Sequence, residues 1–583
     1  MPILNRRNIT TSGFDEDALV SHRANDVIQN FAVLRTTGDL ADGIYGNANG
    51  VKVTNRGVID VAGDGAAGIF IEGNDALINN LGSVQTHGGI FDPDGVPFTG
   101  DEFSPDAIRV AGDRYWVENN GDVRASGSQC TAIIAIGNGG TVRNYSQLFA
   151  TGEGAAGVFT VGDHNEGVNR GAITVSGLFS QGMFFFGSNN SVSNIGTLSA
   201  TSDLFGYGIL AIGDSNRVAN TGTIRIDSAY AGFGMLAEGW SNQLLNAGTI
   251  YASGQFVRGV YLENGSHLLN SGAIYVDGDY GKGVFVLGPG VSIDNSGSIS
   301  TIGTAAIGLE IGYQLEAAPN GWIINSGQIQ THGAGAQGVR MLGDGSHVSN
   351  TGTIETFGGM AIDEGTIALA ANAVFVSGDG AAVINSKSGR IVSHEADSAA
   401  IALDMAFGPL SANPTGHSTL ENYGLIRASK TAIVAGDASE TVLNYGTIIG
   451  DVILGGGDDT YLAGRGGTLA GLLTLGAGDD LVILCDGSGR TVISDFLAGT
   501  GSDDVLDVSA FDFHNLAGVL AAARQVGNDV VISLDRDDQV VLKNVTFGQL
   551  SADDFNFASS HGVGGHAGLS GPEPFHPVVH MFG

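Results

Sequence analysis

Two cysteines in 583 residues, Cys130 and Cys485, exclude a disulfide framework, and they lie too far apart in the repeat order described below to be an obvious pair. Lysine is nearly absent, with five copies, and the formal net charge is −35. A chain of that charge repels nucleic acid and acidic polysaccharide unless cations intervene, and it is suited to collecting Ca2+. Long apolar runs are missing as well: no stretch reaches the roughly 18 uncharged apolar residues of a membrane helix. The opening stretch MPILNRRNITTSGFDEDALV has no apolar core behind its basic pair, so it does not read as a Sec-type signal peptide. The expectation is no transmembrane segment, no nucleic-acid partner, and either cytoplasmic residence or export by another address.

Glycine, in contrast, is abundant, with 94 copies, and it recurs in a pattern. An Asn is followed two residues later by Gly or a small residue and then by an aliphatic one. The steps from Asn119 to Asn144, Asn169 and Asn194 are each 25 residues, and Asn220 and Asn246 follow at 26. Asn55 and Asn80 precede them; Asn270, Asn295, Asn325, Asn350, Asn385, Asn422 and Asn444 carry the series on, and Asn30 is a degenerate first copy. A fixed period of this size marks a solenoid. Within one unit, residues 65–87, short bursts of period-2 alternation such as Ile69 with Ile71 are punctuated by Gly and Asn. That is the pattern of strands, not of amphipathic helices.

The fold class that follows is all-β: a long parallel β-helix with about 25 residues and three short strands per coil, continuing into a β-roll and a C-terminal β-hairpin region. Aliphatic residues are expected to stack between coils, Gly to supply positive φ at the corners, and the Asn amides to form a ladder. About sixteen coils would stand roughly 75 Å tall. The expected divisions are an N-terminal cap over 1–28, β-helix repeats over 29–449, an acidic C-terminal region over 450–557 and a flexible tail over 558–583. Insertions at 90–104, about 312–320, about 361–373 and about 404–417 lengthen single coils and should form outer loops. The first carries Asp92, Asp94, Asp101 and Glu102 beside Phe91, Phe98 and Phe103, which makes it the best loop candidate for a site.

After Asn444 the pattern changes to acidic turns. Gly455, Gly457 and Asp459 recur 21 residues later as Gly476, Gly478 and Asp480, each set flanked by apolar alternation. These turns resemble the Gly- and Asp-rich nonapeptide repeats of RTX proteins, although Leu454 and Leu475 replace the first Gly. TVISDFLAGTGSDDVLDVSAF and the later NDVVISLDRDDQVVLKNVTFGQLSADDFNF resemble the region that closes serralysin-type proteases and other type I secretion substrates. The resemblance implies Ca2+ held at those six residues, a hairpin over Asp535 to Asp538, and export from a Gram-negative bacterium by the type I secretion machinery. It also implies a secreted or cell-surface location.

Catalytic signatures are absent from the rest. The zinc motif of the proteases, His-Glu-x-x-His, is missing, and the nearest string is His394-Glu395-Ala396-Asp397-Ser398. His561, His566, His576 and His580 in the tail are irregularly spaced for a metal site. Arg109, Arg114 and Arg124, with Tyr115, Asp106 and Asp113, form a modest cluster near the first insertion. Long acidic β-helices with such a C-terminus resemble adhesins, surface-layer proteins and biofilm-matrix proteins, whose partners are cell-surface glycans or neighbouring copies. The alternative is a polysaccharide lyase or uronate epimerase, which needs a groove by an insertion where Arg and carboxylates converge. An adhesin needs instead a flat lateral face.

Overall fold

The computed structural model describes residues 2–92, 103–313, 317–363, 367–405, 416–501 and 504–558. Asp94, Phe98, Asp101, Glu102 and the tail histidines lie outside these. The chain winds into a parallel β-solenoid of about 19 turns with about 25 residues per turn. Lys52–Asn55, Val58–Val61 and Ile69–Glu72 make one coil. They pair in register with Leu77–Asn80, Ser83–His87 and Ile108–Ala111 of the next. These positions define a first, second and third face. The second and third join into one sheet through Leu425–Ala435 and Thr447–Gly456, which run round the corner between them.

Alternation sends every second residue inward, and the inward residues form one continuous core from Ile28 to Phe555. The Asn column runs up the first face. From Asn5 to Asn444 each Nδ2 donates to Oδ1 of the Asn one coil on, at 2.7 to 3.0 Å. All the amides point the same way, so each bond polarises the next.

The glycine of Asn-x-Gly has a different reason from the one expected. Gly82, Gly121 and Gly196 do not occupy the left-handed region. A Cβ on Gly82 would lie 2.1 Å from the carbonyl oxygen of Gly57, and one on Gly196 would lie 2.0 Å from that of Gly171. The residue is Gly because the coil beneath approaches too closely for a side chain.

Three features of the pairing bear on the expected divisions. Residues 1–28 do not form a separate cap, because Ile3–Asn5, Ile9–Thr11 and Leu19–Ser21 pair in parallel with the second coil. Arg7 stands where most later coils have Gly, so the Asn-x-Gly motif does not show there. The acidic turns continue the coils. Thr460–Ala463 pairs on the first-face strand Thr441–Asn444, and Leu473–Ala477 on Thr447–Gly456, so the sheets run through residue 450 without a break. Finally, the insertion at 361–373 is partly a hairpin, Ala361–Asp363 against Ile367–Leu369.

Beyond the acidic turns a short helix, Leu516–Ala522, capped by Asn515, leads into antiparallel strands Ala523–Val526, Asp529–Ser533 and Gln539–Leu542. The last pairs in parallel with Arg490–Ile493, and Phe555–Asn556 pairs with Val505–Asp507. The antiparallel segment thus covers the open edge of the final coils.

Candidate functional site

A second polar column stands at the residue before the first-face strands of the middle coils and again of the C-terminal ones. Through the middle coils it is amide-rich: Gly140, Asn165, Asn190 and Asn216 each donate their backbone N–H to Oδ1 of the Asn in the following coil, at 2.8 Å. The remaining amide nitrogen donates to turn carbonyls, from Asn165 to Gly137, Asn216 to Gly213 and Asn242 to Glu238. In the C-terminal coils the same register is held by Ser418, Glu440, Asp459, Asp480 and Asp504. The backbone bond persists: Glu440 N–H donates to Asp459 Oδ1 at 2.7 Å and Asp459 N–H to Asp480 Oδ1 at 2.9 Å.

The second branch cannot persist, because a carboxylate oxygen has no hydrogen to give. Oδ2 of Asp459 and of Asp480 are buried with no hydrogen-bond partner among the described residues, although each residue is only 1% exposed. Burial, and secondarily neighbouring carboxylates, raise the pKa of both. A buried acceptor without a donor takes up a proton or meets a cation.

The glycines singled out with these acids lie in the turns that precede them. Gly455, Gly457, Gly476 and Gly478 have φ between 98° and 141°. A Cβ on Gly476 would lie 1.8 Å from the Gly455 carbonyl oxygen, and one on Gly478 2.0 Å from that of Gly457. Asp459 and Asp480 sit one above the other, each after a closely stacked turn. Oxygen donors without nitrogen or sulfur are the kind that a hard cation takes.

The arginine cluster does not assemble. Arg109 is buried and pairs with Asp106 at 2.7 Å, Arg114 pairs with exposed Asp75 at 2.8 Å, and Arg124 stacks on Phe149. Tyr115 lies in the core. Alternation and the turn separate residues that are adjacent in sequence. Phe91 and Phe103 bridge the base of the first insertion in antiparallel fashion. Beneath them is a cavity of about 590 Å3 lined by Asp15, Asp17, Asp42, Tyr45 and Phe70 with Arg109. Burial pushes Asp42 up to about 8 and Asp17 to about 6. Both carboxylates accept a backbone N–H of the next coil, Asp42 from Ala67 and Asp17 from Asp42, so they serve the turns.

Sequence reasoning missed the third face. Phe179, Phe205, Tyr230, Phe256 and Tyr280, one per coil, form a continuous column with ring centroids 5.1 to 6.0 Å apart. A parallel column runs through Tyr207, Phe233, Tyr261, Phe285 and Tyr313 at 5.4 to 6.0 Å. Phe179 and Tyr230 are exposed. The available signal was an aromatic residue recurring near the start of five successive third-face strands, Phe179, Phe205, Tyr230, Phe256 and Tyr280. At the end of this face Lys282 and Arg340 both pair with the fully buried Glu310, the first at 3.1 Å, and Arg258 packs over Phe233 and Phe285. Arg and carboxylate do converge beside the insertion at 312–320, but closed on each other.

A family model described as the BigA third pectate lyase-like domain matches residues 99–256 and again 251–389. The middle of the chain, including the aromatic face, is thus similar to a pectate lyase-like β-helix. No curated protein matches the chain.

Proposed function

We propose that this is a calcium-binding β-helical protein of the Gram-negative cell exterior, exported by a type I route, that acts as an adhesin, surface-layer or matrix component. The observation that carries the reading is the third face: two aromatic columns crossing five coils, on a lateral surface, in the part of the chain similar to a carbohydrate-related fold. Phe179, Tyr230 and Tyr313 are exposed, and rigid rings of this kind suit docking on a cell-surface glycan or on a neighbouring copy. Calcium, once bound, would supply the positive charge that the stacked carboxylates of Asp459 and Asp480 lack. Those residues hold the last coils apart by repulsion when ionised and alone, which suits a chain that stays unfolded until it reaches the outside.

A second reading, a polysaccharide lyase or uronate epimerase, is favoured by the family description and by Arg258, Lys282 and Arg340. Against it, Lys282 and Arg340 are already paired to Glu310 out of solvent, so neither is free to neutralise a substrate carboxylate.

Binding of the purified chain to bacterial cells and to immobilised glycans, with calcium or with EGTA, tests the first reading. The expected result is calcium-dependent binding that Phe179→Ala with Tyr230→Ala weakens about tenfold or more. Appearance of unsaturated uronates on adding pectin or alginate would overturn it in favour of the enzyme.

A further inference from the structure

We propose that the cavity under the first insertion binds an organic ammonium ion, with carboxylates to meet its N–H groups and aromatic rings to meet its carbon chain. The cavity lies in the first coils, far along the chain from the acidic turns, and the proposal is independent of the calcium reading.

The cavity, about 590 Å3, takes carboxylates from three successive coils: Asp15, Glu16 and Asp17, then Asp42, then Glu72. Its two basic residues do not balance them. Arg109 donates to Asp106, from Nε at 3.0 Å and from Nη2 at 2.7 Å, and His22 Nδ1 lies 2.8 Å from Asn47 Oδ1. Among the described residues none of the five acids forms an ion pair with Lys, Arg or His. Asp42 is the most deeply set of them, only 6% exposed. Its Oδ1 accepts the Ala67 N–H at 2.7 Å, while Oδ2, the oxygen left for the cavity, accepts no hydrogen bond among the described residues. Asp17 is arranged alike, with Oδ1 on the Asp42 N–H at 2.7 Å.

Aromatic rings line the same space. Tyr45 and Phe70 have centroids 5.6 Å apart, and Phe103 comes from the base of the insertion. Tyr45 Oη donates to Glu72 Oε2 at 2.6 Å, which ties one ring to one carboxylate. Phe70 and Phe103 already face a cation, since the Arg109 guanidinium lies 5.3 and 5.8 Å from their centroids. A single metal ion fits this arrangement poorly. Among the described residues, the three acids whose oxygens come within 4.8 Å of one another are Asp486, Asp535 and Asp538, none of which lines the cavity. Acids spread round a wider space suit a cation with bulk of its own. An alkylammonium ion brings three N–H donors for separate acceptors, and its methylenes lie against the rings. Without it, burial raises Asp17 to about 6 and Asp42 to about 8, so these acids keep protons that a bound cation would displace.

Calorimetric titration of the full chain with butylammonium and with Nα-acetyl-lysine methylamide tests this, at about pH 9, where the cavity acids are ionised and the amines still charged. The expected result is saturable binding of one ammonium ion per chain, which Asp42→Asn weakens about tenfold and Phe70→Leu weakens as well. Asp42→Asn keeps the acceptor for the Ala67 N–H; should it not fold, Glu72→Gln at the exposed strand end gives the same comparison. Equal binding of the two amines supports the site and assigns it to a lysine side chain of a partner. Binding of butylammonium alone supports it and assigns it to a small free amine. No saturable binding of either amine overturns the proposal, as does binding that Asp42→Asn and Glu72→Gln both leave unchanged. Competitive displacement of butylammonium by calcium also overturns it, in favour of a metal.

Discussion

At the scale of single residues, buried amides do two jobs that the sequence displays unequally. Asn169 is fully buried, accepts from Asn144 and donates to Asn194, both at 2.8 Å. Asn169→Ala removes the acceptor of an Asn144 N–H below and the donor to Asn194 Oδ1 above, so it should lower unfolding free energy on the order of 2–4 kcal/mol. Urea unfolding checks this, and hydrogen exchange should show protection lost first in the coils around 144–194. A change below about 0.5 kcal/mol would mean that the ladder contributes register and little stability. Asn-x-Gly was legible because both residues repeat. The reason for its Gly was not, since a carbonyl from the coil beneath is invisible in one chain segment. The second column was equally hidden: Asn165 and Asp459 share a register, but coil lengths differ between them, and only stacking aligns the amide with the acid.

At the scale of elements, turns are where buried charge accumulates. Asp42 and Asp17 cap the turns of the first coils and keep their protons up to about pH 8 and 6, whereas an unfolded Asp releases its proton near 3.9. Between those limits the native state binds more protons, so stability falls as pH rises from about 4 to 8. Asp42→Asn retains the acceptor for the Ala67 N–H and removes the titration. It should flatten the upper part of that decline, as read from melting temperatures at several pH values; an unaltered slope would place the titration elsewhere. The third-face strands show what local pattern leaves open. Tyr207 and Phe233 read as ordinary alternation in sequence, yet stacking makes their rings parallel to within 3° at 5.4 Å. In the same way Arg109, Arg114 and Arg124 cluster in sequence and scatter in space, because turn and strand direct them to different partners.

At the scale of the whole molecule, the coils share one core, and an antiparallel segment follows the last of them. The antiparallel segment over the last coils satisfies strand edges that would otherwise face solvent. Truncation after Asp507 removes the partners of Arg490–Ile493 and Val505–Asp507. The shortened chain should associate end to end, seen as an increase in molar mass by light scattering, and a monodisperse monomer would show that the edge is protected in some other way. The sequence by itself determined the period, the inward aliphatic residues and the Asn column, because in a solenoid each coil repeats the same local solution and meets only its neighbours. Tertiary structure alone decided the rest. It showed that the chain coils from its first strands, that the acidic turns continue the same sheets, that carboxylates replace amides in one buried column, and that aromatic rings line one face. Each of these depends on which residues lie above one another, and insertions of unequal length shift that alignment in ways that spacing along the chain does not record.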